Sequence, residues 1–143
     1  MNILITGGTG FIGKQIAYKI LELGTITLDG EVAQTIDKII LFDAFAGADV
    51  PQDPKIQVIT GDITDKSLVE KITENVDVVW HLAAVVSSAA EENFDLGMDV
   101  NLYGLLTLLE ALRKHGSKPR VIFASGCAVF GGDLPKVVTD QTV

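Results

Sequence analysis

The sequence predicts an α/β fold in which a parallel sheet is covered by helices on both faces. Short apolar runs rich in β-branched residues alternate with helical patterns, and a glycine-rich turn joins the first run to the first helix. Runs that are apolar throughout are typical of parallel strands buried on both faces. The alternation therefore predicts right-handed β-α-β crossovers.

The first elements are the clearest. The spacing predicts a strand over residues 2–6, which ends at two glycines, and a helix over residues 11–23, which ends at a third. We expect the second core strand over residues 38–42, because this run is apolar throughout whereas residues 25–28 only alternate. Residues 25–36 are then an insertion between the first helix and the second core strand.

The rest of the chain continues the alternation. Strands are predicted over 56–60, 76–82 and 120–125, and helices over 65–72 and from about 91 to 115. Ser67 and Glu70 have the spacing of a capping box in the shorter helix. Beyond the fifth core strand the pattern shows no clear period, so we expect a sheet that is truncated after that strand and a final loop.

Composition excludes several classes of protein. The 143 residues are 48% apolar and carry a formal charge of -8, which indicates one packed globular domain and no disorder. A single cysteine excludes a disulfide scaffold and favours a reducing, cytoplasmic compartment. No basic cluster, no membrane-length apolar run and no zinc-ligand spacing is present, so nucleic acid, membrane and metal are not expected as partners.

The glycine-rich turn is the first candidate binding site. Gly7, Gly10 and Gly13 have dinucleotide-loop spacing: a side chain at the first two would obstruct the turn or a phosphate, and one at the third would hold the helix off the sheet. Phe11 and Ile12 begin the helix, where free backbone N–H groups and the positive end of the helix dipole would meet a pyrophosphate.

A mononucleotide P-loop is the alternative interpretation of the same residues. Gly8, Gly13 and Lys14 have the P-loop spacing, which would make this an ATP-binding protein. Gln15 then stands where a P-loop needs Ser or Thr as a magnesium ligand, and an amide is a poor substitute for that hydroxyl. The dinucleotide interpretation is favoured.

Asp43 ends the second core strand and is the candidate acid for the cofactor's ribose. Its carboxylate can accept hydrogen bonds from both adenosine hydroxyls and would repel a 2'-phosphate, which favours NAD over NADP. An exposed turn acid is the alternative, and Asp29 has the more usual separation from the glycines.

Five motifs in order resemble one superfamily over nearly the whole chain. They are the glycine loop at 6–13, Gly61-Asp62-Ile63, His81-Leu-Ala-Ala84, Asn101-x-x-Gly104, and Phe-Ala-Ser-Gly-Cys-Ala-Val-Phe-Gly at 123–131. Together they resemble the extended short-chain dehydrogenase/reductase superfamily of the NAD-dependent epimerase/dehydratase type, which implies a Rossmann-type doubly wound parallel sheet. The insertion and residues 81–101 are most similar to its D-erythronate dehydrogenase branch.

The resemblance also implies further cofactor-site residues. It implies that the acid Asp62 and the aliphatic Ile63 face the adenine. It also implies that a segment of small residues lines the cofactor, namely Leu82, Ala83, Ala84 and Val85. Asn101 would support the site, and Ser125 would lie near it. His81, inside a strand, is interpreted as structural.

Hydride transfer in the superfamily uses a Tyr-x-x-x-Lys pair and a Ser or Thr. Neither Tyr18 nor Tyr103 is followed by Lys four residues on, and Gly126 stands at the Ser/Thr position. We therefore assign no catalytic residue. Residues 1–143 are interpreted as an N-terminal NAD-binding domain that is incomplete, without the Tyr/Lys segment and the substrate region.

Two functional hypotheses follow. In the first, the chain is the NAD-binding portion of a sugar or sugar-acid dehydrogenase, or of an epimerase-dehydratase, whose substrate is a sugar acid or a nucleotide sugar. In the second, it is a catalytically inactive NAD-binding module that serves as a sensor or scaffold. The isolated chain is expected to show no turnover, and the helix at 91–115 is a candidate homodimer interface.

Overall fold

A computed structural model of the chain describes residues 1–126, 129–130, 132 and 135–141. Cys127, Ala128 and Gly131 of the fifth motif lie outside these residues. In chain order the described elements are β1 (Asn2–Thr6), α1 (Phe11–Leu23), β2 (Thr25–Ile26), β3 (Gln34–Thr35), β4 (Lys38–Asp43), β5 (Ile56–Thr60), α2 (Lys66–Ile72), β6 (Val78–His81), α3 (Ser87–Glu92), α4 (Phe94–Met98), a π-helical segment (Asp99–Gly104), α5 (Leu105–His115) and β7 (Arg120–Phe123).

The main sheet has the order β5-β4-β1-β6-β7, and every neighbouring pair is parallel. The chain moves outward from β1 through β4 to β5, then crosses to the other side of β1 for β6 and β7. This order is that of a doubly wound Rossmann sheet, so the predicted fold class is confirmed. The switch in direction places a crevice beside β1, at the carboxyl ends of the strands.

The insertion is a separate small hairpin. β2 and β3 pair antiparallel, with Thr25 opposite Thr35, and form no part of the main sheet. The second core strand is β4, as expected from its uninterrupted apolar run. Between β3 and β4, Ile36 donates its backbone N–H to Gly24 O at 3.1 Å, which closes the hairpin against the end of α1.

The long helix expected over 91–115 is wrong in its boundaries and its continuity. Helical structure begins at Ser87, stops at Asn93 with φ -136° and ψ 87°, and passes through a π-helical segment before α5. The Asn93 side chain accepts the Leu96 N–H at 3.1 Å and so begins a new helix. The predicted end is confirmed, since Gly116 takes the left-handed conformation there.

The capping box predicted for α2 is also wrong. Asp65 caps this helix, its Oδ1 accepting from the N–H groups of Ser67 and Leu68 at 3.0 and 3.1 Å. Glu70 instead pairs with Lys114 of α5, and Lys114 holds the pKa of that carboxyl below its usual range. The ion pair links two helices on the same face of the sheet.

Two apolar clusters cover the two faces of the sheet. Leu4 points into one cluster with α2 and α5, whereas Ile3 and Ile5 point into the other with α1 and the hairpin. This alternation follows from the two-residue period of a strand. Among the described residues, no helix combines the length and the apolar character that crossing a bilayer requires.

Candidate functional site

A cleft of about 690 Å³ opens at the carboxyl edge of the sheet, at the switch point beside β1. Nine residues predicted from the sequence line this cleft: Gly7, Gly10, Asp43, Asp62, Ile63, Leu82, Ala83, Ala84 and Val85. They come from the ends of four strands, separated by up to 78 positions in the chain. The parallel topology brings them together because those strands end at one edge.

The three glycines predicted as site residues of this loop are each restricted by different neighbouring atoms. Gly7 has φ +67°, and a Cβ there would lie 2.9 Å from Ala83 N, so both its conformation and its neighbours favour glycine. A Cβ on Gly10 would meet only Gly7 O, at 3.2 Å. One on Gly13 would lie 2.7 Å from Gly8 Cα and closer still to Gly7 O. Gly13 therefore seats the helix against the loop rather than lining the cleft.

The first turn of α1 presents unpaired backbone donors. Gly10 is its N-cap, and no side chain of the described residues caps this end. Phe11 and Ile12 are 80% and 60% exposed and do not line the cleft with their side chains. What they offer to a ligand is their N–H groups, since the first N–H groups of a helix have no partner within it.

Asp43 is tied to the glycine loop. Its Oδ2 accepts the Thr9 N–H at 3.1 Å and its Oδ1 accepts the Phe45 N–H at 3.4 Å. Thr9 in turn donates its hydroxyl to Phe45 O at 3.0 Å. The carboxylate keeps further lone pairs for a ligand. Asp29, the other candidate, pairs instead with Arg120 and does not line the cleft.

Asp62 and Ile63 lie across the cleft from the loop. Asp62 Oδ1 accepts from both the N–H and the hydroxyl of Thr64 at 2.8 Å, so this acid belongs to the turn and also lines the cleft. Ile63 is 5% exposed and packs on Gly104, where an added Cβ would lie 2.6 Å from Ile63 Cγ2. Gly104 is thus what lets Ile63 sit against the helix.

Asn101 supports the cleft without lining it. Its side-chain amide forms two hydrogen bonds with the backbone of Val85, accepting from N at 2.8 Å and donating to O at 3.0 Å. Leu82 still donates its backbone N–H to Thr6 O at 3.1 Å, but residues 83–85 lie beyond the strand ladder and have lost its hydrogen-bond partners. The asparagine replaces those partners and fixes one wall of the cleft.

Ser125 and His81 lie apart from the cleft lining. Ser125 follows β7 and is exposed. His81 is 2% exposed, and its ring stacks on Phe123 with 5.9 Å between centroids. Burial lowers the pKa of His81, and Thr6 Oγ1 lies 2.8 Å from its Nδ1. Its interpretation as a structural residue agrees with this environment.

Six lining residues were not predicted as site residues: Phe42, Ala44, Phe45, Gly61, Leu96 and Val100. Phe45 is the most informative, because its backbone is held at both N–H and C=O while its ring is 77% exposed. The sequence signal that could have identified Phe45 is its position two residues after Asp43.

Among the described residues, no three His, Cys, Asp or Glu side chains cluster as a metal would require.

Comparison with known proteins agrees with this geometry. The NAD dependent epimerase/dehydratase family matches residues 3–143. The chain belongs to that family. D-erythronate dehydrogenase from Cupriavidus necator is 47% identical over 143 residues, which is 99% of this chain and 44% of that protein. The family and the branch that the motifs resemble are thus confirmed as similarities.

Two solved structures have the same fold. A nucleoside-diphosphate-sugar epimerase from Agrobacterium tumefaciens superposes with a TM-score of 0.82 and 35% identity, covering 100% of this chain and 43% of that one. A uronate dehydrogenase variant from the same organism, complexed with NAD, gives a TM-score of 0.67 and 25% identity over 87% of this chain and 40% of its own.

The chain spans about two fifths of the length of these relatives. The cofactor predicted from the sequence, NAD, agrees with the description of the family. The similarities support the dehydrogenase or epimerase hypothesis. They give no support to an inactive sensor or to a P-loop ATP-binding protein.

Proposed function

We propose that residues 1–143 form the NAD-binding domain of an NAD-dependent dehydrogenase that acts on a sugar acid. The observation that carries the proposal is the cleft, in which an uncapped helix N-terminus, a glycine turn and Asp43 meet at the switch point. Similarity to D-erythronate dehydrogenase supports the sugar acid as substrate class. A single cysteine supports the cytoplasm as the compartment.

The residues of the cleft fit a dinucleotide. The α1 N-terminus and the bare Gly10 leave room and donors for a pyrophosphate. Asp43 offers acceptors to a ribose diol, and Ile63 offers an apolar surface to the adenine while Asp62 accepts from its amino group. The small side chains of Ala83 and Ala84 let the rest of the cofactor approach the backbone after β6.

NAD, when bound, supplies the hydride acceptor. The chain's own part is to bind the cofactor, to orient it through its backbone donors and to exclude NADP through Asp43. The 143 residues contain no Tyr-x-x-x-Lys, the pair that would lower a tyrosine pKa for proton transfer. We therefore expect the chain to bind NAD without oxidising a 2-hydroxy acid.

Calorimetric titration with NAD and NADP tests the proposal. The wild-type chain should bind NAD at least about tenfold more tightly than NADP, since a charged hydrogen-bond partner contributes about 1.5–3 kcal/mol. Asp43→Asn should weaken NAD binding about tenfold and reduce the discrimination. Asp49→Asn is the matched control, because this acid lies in the loop that follows Asp43 and β4 but does not line the cleft.

Three results would contradict this assignment. Tighter binding of NADP than of NAD would refute the role of Asp43. Magnesium-dependent binding of ATP without binding of NAD would refute the dinucleotide site as a whole. Equal loss of affinity in the Asp43 and Asp49 variants would show that the loop acts only through its net charge.

We also propose that the chain dimerises through an apolar face of the π-helical segment and α5. Leu102, Leu106 and Leu109 lie on one helical face and are 42%, 51% and 41% exposed. Leu106→Glu should lower the sedimentation coefficient from that of a dimer to that of a monomer. Leu23→Glu, which alters an equally exposed apolar residue at the end of α1, should not. A wild-type monomer would refute the interface.

A further inference from the structure

Thr6 and His81 form a buried polar pair that none of the cofactor contacts described above uses. They lie opposite each other in the register of β1 and β6, at the last residue of each strand. Thr6 is 0% exposed and His81 is 2% exposed, and 2.8 Å separates Thr6 Oγ1 from His81 Nδ1. A buried hydroxyl and imidazole at this point require a physical reason, because their desolvation is costly.

The hydrogen bonds of Thr6 Oγ1 determine the tautomer of His81. The hydroxyl oxygen accepts from Ala83 N at 3.2 Å and also from Leu82 N at 3.2 Å, an N–H that it shares with Thr6 O at 3.1 Å. Two accepted bonds fill its lone pairs and leave one proton to donate. That proton goes to His81 Nδ1, so the imidazole is neutral and carries its own proton on Nε2. Phe123, stacked on the ring, holds the imidazole in this orientation.

The pair lies directly behind the cleft. Thr6 precedes Gly7 of the phosphate loop, and Leu82 and Ala83 line the facing wall. The two walls touch here, since a Cβ on Gly7 would lie 2.9 Å from both Ala83 N and Leu82 C. The Thr6 hydroxyl therefore joins the loop on one side of the cleft to the backbone on the other.

We propose that Thr6 and His81 are a positioning pair for the dinucleotide. His81 Nδ1 orients the Thr6 hydroxyl, and the hydroxyl holds the Leu82–Ala83 backbone at its separation from Gly7. The inference rests on the proposed function, because the quantity it governs is affinity for NAD. A pair that served only to join β1 to β6 would affect stability and leave that affinity unchanged.

The tautomer is tested without any ligand. Long-range proton–nitrogen correlation spectra of the full chain should show His81 with a protonated Nε2 and a bare, hydrogen-bonded Nδ1. Thr6→Val, which removes the hydroxyl at nearly constant shape, should shift the Nδ1 resonance, whereas Thr6→Ser should not. Protonation at Nδ1 in the wild-type chain would overturn the inference.

The effect on the cofactor is tested by calorimetry with NAD. Thr6→Val should raise Kd about tenfold, and Thr6→Ser should stay within about threefold of wild type. Thr73→Val is the matched control: Thr73 is equally buried and donates to Val69 O at 2.7 Å, but at the C-terminal cap of α2, away from the cleft. It should lose similar stability and keep wild-type affinity.

If Thr6→Val does not fold, His81 carries the same test. His81→Asn keeps an acceptor near the position of Nδ1 and should retain most of the affinity, whereas His81→Leu should lose about as much as Thr6→Val. Wild-type affinity in Thr6→Val or His81→Leu would overturn the inference. No NAD binding by the wild-type chain would instead refute the proposed function, while the tautomer result would still stand.

Discussion

Replacing Gly13 with Ala separates the structural role of the glycine loop from its binding role. The added Cβ would lie 2.7 Å from Gly8 Cα and 2.9 Å from Gly8 C, both backbone atoms that cannot rotate away. Helix α1 must therefore move off the loop by well over half an ångström. Gly13→Ala tests whether this contact is as tight as the structure shows.

Two opposing effects set the magnitude. Alanine inside a helix is favoured over glycine by about 1 kcal/mol, whereas overpacking a filled site costs about 1–3 kcal/mol. Because the obstruction is backbone, we expect the upper end of that cost and a net loss of about 2 kcal/mol. With a urea m-value of about 2 kcal/mol/M, the midpoint of unfolding should fall by about 1 M.

The displaced helix should also bind NAD less tightly. Its first-turn N–H groups would no longer lie where Gly7 and Gly10 place a phosphate, and we expect Kd to rise about tenfold. Gly116→Ala is the control. Gly116 has φ +68° with open space around it, so an alanine there costs about 1–2 kcal/mol of strain at the opposite edge of the sheet.

The outcomes are distinct. Gly116→Ala should lower the urea midpoint and leave the affinity for NAD unchanged, whereas Gly13→Ala should reduce both. A Gly13→Ala chain at least as stable as wild type would refute the packing argument, because helix propensity alone would then decide. Unchanged affinity in a destabilised Gly13→Ala chain would show that the α1 N-terminus does not contact the cofactor.

Two further predictions follow from the cleft and its support. Burial lowers the pKa of His81 below 6.5, so the unfolded chain takes up a proton that the folded chain does not. The free energy of unfolding, measured by urea titration, should therefore be constant above about pH 7.5 and fall below pH 6.5 by up to about 1.4 kcal/mol per pH unit. The same fall in His81→Asn would show that another group is responsible. Phe45→Ala should raise Kd for NAD about three- to tenfold with little change in stability, since its ring is 77% exposed and aromatic contacts contribute about 0.5–1.5 kcal/mol. Phe94→Ala, also an exposed ring, should leave calorimetric affinity unchanged, and equal effects in both would refute a specific role for Phe45.

Most of the fold could be predicted because each core strand is a short apolar run. β1 and β4 were located to within a residue, and the uninterrupted apolar character of residues 38–42 distinguished the core strand from the hairpin. The break at Asn93 could not be predicted in this way, since the apolar residues keep a helical period through it. The π-helical segment likewise changes the turn by one residue without any composition signal.

The site could be predicted where chemistry depends on residue type. Glycines at a turn and an acid at a strand end are recognisable, so Gly7 and Asp43 could be predicted, and both line the cleft. Phe45 was not predicted because its only signal is its position two residues after Asp43, and an aromatic side chain there does not by itself indicate a binding role. What the structure adds there is the anchoring of its backbone by Thr9 and Asp43, which depends on the approach of two loops.

The residues that support the cleft share one property: each is polar at a position where the local sequence pattern predicts an apolar side chain. Thr6 ends an otherwise aliphatic strand, His81 ends another, and Asn101 interrupts an apolar helical face. Thr6 and His81 are buried, where an unpaired polar group would be costly, and they satisfy each other. Asn101 is exposed and pairs with the backbone of Val85. Polar groups with such neighbours hold backbone where regular hydrogen bonding has ended. In this chain they support residues 82–85, the wall of the cleft that continues beyond the last ladder hydrogen bond, from Leu82 N to Thr6 O.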